Sequence, residues 1–262
     1  MSRLSILFPV YDLDDESCKV TLAAFRSVVK ALRPGLGEIV VVNDGSPCTT
    51  AIEAITQESD IPTSIRNHHR QMGLVSSLNE AARLSTGEVL TYCHTDCIVT
   101  SDALLRIVKL LSERRDAGMV ISELYFSNGQ LQQVGGWIGP AFQLCWSRCL
   151  TAEPQPIHWG DFWSVRREIY LSDDGLPTAY DPGYWECVEI AARVRDLGYS
   201  TLTCPGSRVV HLKSKTFHKC FSENQRNALF ERNRRLFASR WGHWQNIFLS
   251  EIPGPLTQYE WR

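Results

Sequence analysis

Three apolar runs near the start of the chain end in polar tips whose side chains suit a nucleotide. They are Pro9-Val10-Tyr11-Asp12, Asn43-Asp44-Gly45-Ser46 and His94-Thr95-Asp96. A carboxylate only accepts hydrogen bonds, so Asp44 can take the imide N–H of a uracil or thymine ring. Tyr11 offers a flat face for that base. Asp96, with His94 two residues before it, can hold a divalent cation against a phosphate. Each tip also has a plainer role. Asn-Asp-Gly-Ser is a common turn, and Asp96 can cap the helix starting near Ser101, although Ser101 and Asp102 stand closer to that cap.

The elements that must position these tips alternate. Leu4 to Val10 and Glu38 to Val42 are short, apolar and β-branched, as strands covered on both faces are. Apolar spacing predicts helices over Ser17–Leu32, Thr49–Gln57 and Gly73–Leu84, with a short strand at Ser64–Asn67 between the last two. The run from Gly87 ends at Asp96. Strand–helix alternation implies a parallel sheet with right-handed crossovers, and ligands sit beyond the carboxyl ends of such strands. The second half is more varied. It holds a helix at Ala103–Arg115, a strand at Met119–Ser122 and a hairpin turn at Asn128-Gly129. Further on come an amphipathic helix at Val188–Gly198, strands at Tyr199–Cys204 and Ser207–Leu212, and a basic helix at Asn224–Trp241.

Composition narrows the classes. An apolar share of 44% and a charged share of 21% fit a globular protein that buries a sizeable core. A formal net charge of -2 provides no basic field, so nucleic acid is not an expected partner. No run approaches the roughly 20 apolar residues of a membrane span, and the start meets Pro9 too soon for a secretory leader. Nine cysteines form no Cys-x-x-Cys pair. An odd count without a leader suits reduced thiols in a cytoplasm. Residues 1–262 read as one unit: a nucleotide-binding half to about 100, an acceptor half over 101–215 and a helical segment over 216–262.

Taken in order, these motifs resemble the GT-A fold glycosyltransferases, specifically the inverting family 2. Members open with a strand ending in Pro-Val-Tyr-Asn. They continue with Asn/Asp-Asp-Gly-Ser, a Gly-x-x-x-x-x-Asn helix, Ala-x-Gly-Glu and a strand ending in Asp-x-Asp. Pro9 to Asp12, Asn43 to Ser46, Gly73 with Asn79, Ser85-Thr86-Gly87-Glu88 and His94 to Asp96 are similar to these. Phe126 to Gln132 with Gly135-Gly136 resembles the family's middle hairpin, and Phe162 to Glu168 resembles the strand before the acceptor site. Trp185-Glu186-Cys187-Val188-Glu189 resembles its Glu-Asp-x-Asp-Leu helix start, and Val209-Val210-His211-Leu212 its late histidine. The resemblance spans about residues 4 to 241. It implies an α/β GT-A fold, a mostly parallel nucleotide-binding sheet flanked by helices and merged with a smaller acceptor-binding half.

The resemblance also implies roles. Asp96 coordinates Mn²⁺ or Mg²⁺ on the diphosphate, and His211 is a second ligand or a buried structural histidine. Mn²⁺ accepts imidazole as well as oxygen. His94 stands where relatives have the first Asp, and binds metal, sugar or nearby backbone. Pro9, Val10, Tyr11, Asp12, Asp44, Arg70, Thr95 and Lys215 contact the nucleotide-sugar donor. Arg70 and the Lys213–Lys215 pair otherwise belong to solvated loops. The family's base is the Asp of Glu-Asp, a position occupied here by Cys187. An ordinary thiol is a poor substitute. Glu186 becomes the first candidate base and Asp161 the second, with Glu189 on the same helical face.

The implied activity is metal-dependent, inverting transfer from a nucleoside-diphosphate sugar, UDP or dTDP, to a glycan or lipid-linked glycan in surface polysaccharide synthesis. The single Asp at the tip resembles the rhamnosyltransferase-like branch. Trp137, Trp146, Trp159, Trp163 and Trp185 are expected to supply one or two sugar-stacking faces, the rest packing in the core. The basic aromatic segment from Arg226 to Phe248 either lies on an anionic membrane or packs on the domain. His94 and Cys187 also suit a second class, a non-catalytic sugar-nucleotide or glycan-binding module. A nucleotidyltransferase needs a Gly-rich phosphate loop, and Tyr11 to Asp15 has no glycine.

Overall fold

Residue alternation along the first two strands divides the hydrophobic core in two. The computed structural model describes residues 3–33, 35–58, 60–213 and 216–261. In β1 (Leu4–Val10), Leu4, Ile6, Phe8 and Val10 face one cluster while Leu7 faces the other. In β2 (Gly37–Asn43), Ile39 and Val41 join the first cluster, and Val40 and Val42 the second. Successive side chains of a strand point to opposite faces, so a sheet covered on both sides makes two cores from one pattern.

The covering elements follow the expected alternation. α1 (Asp15–Ala31) starts with a capping box, in which Asp14 accepts from the Ser17 amide and Ser17 returns a bond to the Asp14 backbone. Then come α2 (Thr50–Glu58), β3 (Thr63–Asn67), α3 (Leu74–Leu84) and β4 (Val89–Tyr92). The chain continues through β5 (Cys97–Val99), α4 (Ala103–Glu113), β6 (Ala117–Phe126) and β7 (Leu131–Gln133). A hairpin of β8 (Gly136–Ile138) and β9 (Leu144–Trp146) precedes β10 (Trp163–Arg166) and α5 (Arg167–Tyr170). α6 (Glu186–Asp196), β11 (Ser200–His211), α7 (Thr216–Cys220), α8 (Glu223–Trp241) and α9 (Gln245–Glu251) complete the order.

One sheet runs β3-β2-β1-β4-β10-β6-β11-β5, with β7 added on β6. β3, β2, β1 and β4 are mutually parallel, and β11 is parallel to β6. β10 lies antiparallel between β4 and β6. Its leading residues Asp161 and Phe162 therefore arrive at the edge where the parallel strands end. β5 runs antiparallel to β11 and pairs Cys97 with His211. That register sets His211 beside Asp96, the residue before Cys97.

Two elements differ from expectation. β4 stops at Tyr92, so Asp96 stands at the end of a loop that runs into β5. The two strands expected over Tyr199–Leu212 are one, interrupted by an irregularity between Cys204 and Arg208. Gly206 there has φ +76, the left-handed region in which glycine costs least. Six of the nine cysteines are buried and all nine are free thiols, so most act as small core residues. Among the described residues no helix is long and apolar enough to cross a membrane.

Of the two placements open to the basic aromatic segment, the structure shows its apolar side packed on the domain. Phe237, Trp241 and Phe248 are buried. Its arginines turn to internal partners: Arg240 to Glu189, Arg234 to Glu231, and Arg232 to the carbonyls of Ala179 and Asp181. Glu189 anchors this packing. Its carboxylate, fully buried, accepts from the Tyr180 hydroxyl at 2.7 Å, the Trp241 indole at 2.8 Å and Arg240 at 3.0 Å. Removing it strands three donors. Glu189→Ala is expected to destabilise the fold by about 3 kcal/mol, measured by denaturant unfolding. A loss below about 1 kcal/mol would mean that α8 is held by apolar packing alone.

Candidate active site

The carboxyl ends of β1, β2 and β4 and the far end of β11 open onto one cavity of about 620 Å³. Its lining includes Pro9, Val10, Tyr11, Asp44, His94, Thr95, Asp96, Glu186, His211 and Lys213.

On one wall, ligand atoms of His94, Asp96 and His211 lie within 4.8 Å of one another. Each histidine is oriented from behind. His94 Nε2 lies 3.0 Å from the Asp161 carbonyl, and His211 Nδ1 lies 3.2 Å from Gln132 Oε1. Carbonyl oxygens only accept, so these nitrogens carry protons, and in the neutral rings His94 Nδ1 and His211 Nε2 are left with lone pairs. The donor set fits a cation: two neutral imidazoles and a carboxylate suit Mn²⁺ better than Mg²⁺. Burial lowers the His94 pKa, aided by the nearby His211. At His211 burial also favours the neutral ring, but Asp96 beside it at 3.3 Å outweighs that and raises the pKa. His211 must lose its proton before it can ligate.

On a second wall, Asp44 is buried at the turn after β2. Its Oδ1 takes the Met72 amide and His68 Nδ1, each at 2.8 Å, and Oδ2 takes the Gly73 amide at 2.9 Å. A carboxylate has about four acceptor directions, so one is left for a ligand N–H. Gly45 has φ +73, and a Cβ there would meet the Arg70 backbone at 2.6 Å, which makes this close approach a glycine position. His68 also reaches Glu80 at 2.6 Å. Burial opposes its charge, but the two carboxylates win and raise its pKa.

The third wall carries Glu186. It is the first residue of α6, after Tyr184 at φ +70 and Trp185 at φ +74. Left-handed backbone at two bulky residues costs on the order of 1–3 kcal/mol each and persists only where the surroundings enforce it. Asn233 of α8 enforces it here. Fully buried, its amide donates toward the carbonyls of Tyr180, Gly183 and Tyr184 at 3.0, 2.8 and 2.9 Å. Glu186 Oε2 is buried without a hydrogen-bond partner. Burial, helped by the charges of Asp161 and Asp181, raises its pKa to about 7. Such a carboxyl sits poised between acid and base near neutral pH.

Several expected residues lie elsewhere. Asp12 turns inward to accept from Thr21 at 2.8 Å, and burial raises its pKa to about 6. Arg70 is exposed and off the cavity wall. Asp161 is held behind the wall by Gln133 and by the Cys187 thiol at 3.9 Å. Cys187 is buried and its pKa is pushed well up by burial and by Glu186, so its thiol keeps its proton. Lys215 lies outside the described residues. None of the five tryptophans lines this cavity. Tyr11, Tyr92, Tyr184, Phe217 and Phe221 make its aromatic wall, and Trp159, Trp163 and Trp185 are core.

A model of glycosyl transferase family 2 matches residues 5–171. The chain belongs to that family. The family-2 chain is also similar to an uncharacterized protein, y4gI, of Sinorhizobium fredii, 23% identical over 228 residues that cover 80% of the chain and 24% of that protein. It thus spans about a quarter of that relative. Its fold is GT-A, as in three solved structures. GalNAc-T7 with UDP, GalNAc and Mn²⁺ superposes with TM-score 0.69 at 18% identity over 81% of this chain and 43% of that one. S. aureus TarS 1-349 with UDP-GlcNAc gives 0.61 at 15% over 81% and 59%. The mannosyltransferase PcManGT of Pyrobaculum calidifontis with GDP-Man and Mn²⁺ gives 0.57 at 18% over 82% and 58%.

Sequence reasoning missed His68, Gln132 and Asn233. His68 and Asn233 belong to no local motif, and Gln132 ends the hairpin motif without a role that the motif marks. His68 follows β3 directly, where a strand-end position is the single signal that marks it, while Gln132 and Asn233 act through contacts made only in the folded chain.

Proposed function

We propose that the chain transfers a sugar from a nucleoside-diphosphate sugar to a glycan or lipid-linked glycan, inverting the anomeric carbon, and that residues 1–262 form one catalytic unit. One observation carries this reading: Glu186, whose buried Oε2 has no hydrogen-bond partner, shares a cavity with the His94–Asp96–His211 cluster and Asp44. Membership of family 2 supports sugar transfer.

Asp44 has one acceptor direction left for the N–H of the donor's base, with Tyr11 beside it. A cation held by His94, Asp96 and His211 would neutralise charge on the diphosphate. Lys213, on the cavity lip, adds a positive charge near the same place. Glu186 takes the proton of the acceptor hydroxyl as its oxygen bonds to the anomeric carbon and the bond to the diphosphate breaks. Attack opposite the departing group inverts that carbon.

The test is binding and slow hydrolysis of UDP-, dTDP- and GDP-sugars, with and without Mn²⁺. Metal-dependent turnover of one donor names the sugar. Absence of nucleotide binding under every condition would sink the reading and leave a glycan-binding module.

A further inference from the structure

A second cavity of about 490 Å³ opens at the opposite end of β11. Thr201 lines it, whereas His211 lines the donor cavity. Ten residues of strand separate the two, roughly 30 Å. The volume is in the range of small-molecule sites, about 300–1,000 Å³.

Its polar groups are built in. His158 is 4% exposed, and its Nδ1 accepts from the Ile138 amide at 3.0 Å. That bond fixes the proton on Nε2 of the neutral ring, and burial keeps the ring neutral by lowering its pKa. Nε2 faces Glu251 Oε2 at 3.2 Å, so imidazole and carboxylate lie side by side in the lining. Arg195 pairs with both oxygens of Glu251 and lies 5.7 Å from the Trp244 ring centroid. Trp137 forms a further wall.

The lining selects its ligand by exclusion. Arg195 and Glu251 cancel and His158 is neutral, so a phosphate or nucleotide gains little here. Donors and acceptors stand side by side in a lining that also includes the indoles of Trp137 and Trp244. That arrangement matches a neutral ring bearing hydroxyls at its rim and C–H groups on its faces. We propose that this cavity is a non-catalytic subsite for a neutral pyranose unit of a glycan. The lining shares no residue with the donor cavity, so saccharide binds here whether or not the chain turns over donor. If it does, a glycan gripped at the rear raises the effective concentration of its free end. That last consequence alone rests on the transferase reading.

The test is saturation-transfer NMR on the full chain with neutral methyl pyranosides and their short oligomers, repeated in excess UDP and Mn²⁺. Saturation is expected to reach one class of sugar, to survive UDP and Mn²⁺, and to weaken about tenfold in Trp244→Ala, as loss of one stacking face predicts. Glu251→Gln, nearly isosteric, should weaken it likewise and serves if Trp244→Ala does not fold. No transfer to any sugar, displacement by UDP and Mn²⁺, or equal binding in folded variants overturns the proposal. Sugar binding here without donor binding at the other cavity would uphold this subsite while sinking the transferase reading.

Discussion

Asp96→Ala should lower metal-dependent donor turnover by about 10³-fold, because cation stabilisation of a leaving diphosphate is worth several kcal/mol and each 1.36 kcal/mol is tenfold. Asp96 is the sole carboxylate of the His94–Asp96–His211 cluster, so no oxyanion ligand remains after its removal. The effect should appear as lost Mn²⁺ affinity in calorimetry together with lost turnover, while UDP binding without metal persists through Asp44. pH gives a second readout. The His211 pKa is raised, so protons compete with the cation until pH exceeds that raised value, and Mn²⁺ affinity should climb as pH rises. Turnover in Asp96→Ala within tenfold of wild type would exclude this cluster as the metal site.

Glu186→Gln should cut kcat by about 10²–10⁴-fold, the usual contribution of a positioned base, with little change in donor affinity. The side chain keeps its volume, and its buried Oε2 has no partner to lose. The pH profile separates a base from a structural group. With a pKa raised to about 7, Glu186 is protonated and idle below neutrality, so kcat/KM should rise through about pH 7 and level off above it. The stability sign is opposite. A folded-state pKa above the ordinary 4.5 contributes stability that is full below 4.5 and lost as pH passes 7. Glu186→Gln should flatten both dependences. Asp161→Asn, held behind the wall, is the contrast: if it removes the rising limb and Glu186→Gln does not, the base assignment is reversed.

Local pattern carried the first half of the fold. Period-two apolar runs, Gly and Pro punctuation and 3.6-residue helical spacing depend on neighbours a few positions away, so they are readable in the linear chain. The polar tips Asp44 and Asp96 are legible for the same reason, since they interrupt otherwise buried runs. The second half is less so. β10 enters antiparallel between β4 and β6, and β11 continues where two strands were expected. Both outcomes are set by pairing with strands far away in sequence.

The site divides along the same line. Sequence alone identified the family, the GT-A sheet and the groups on offer: Asp96 with its neighbouring histidines, Asp44 at a strand tip, and a carboxylate beside Cys187. Tertiary structure decided which of these groups meet. The β5–β11 register brings His211 to Asp96, and Thr21 holds Asp12 off the cavity wall. Gln133 and Cys187 hold Asp161 back, and Asn233 of α8 holds the left-handed turn that aims Glu186. It also sent the tryptophans to the core and to a rear cavity instead of the donor wall. The physical reason is that a side chain's residue type records what it can bond, while burial and partner geometry, which determine what it does bond, are set by packing between segments distant in the chain.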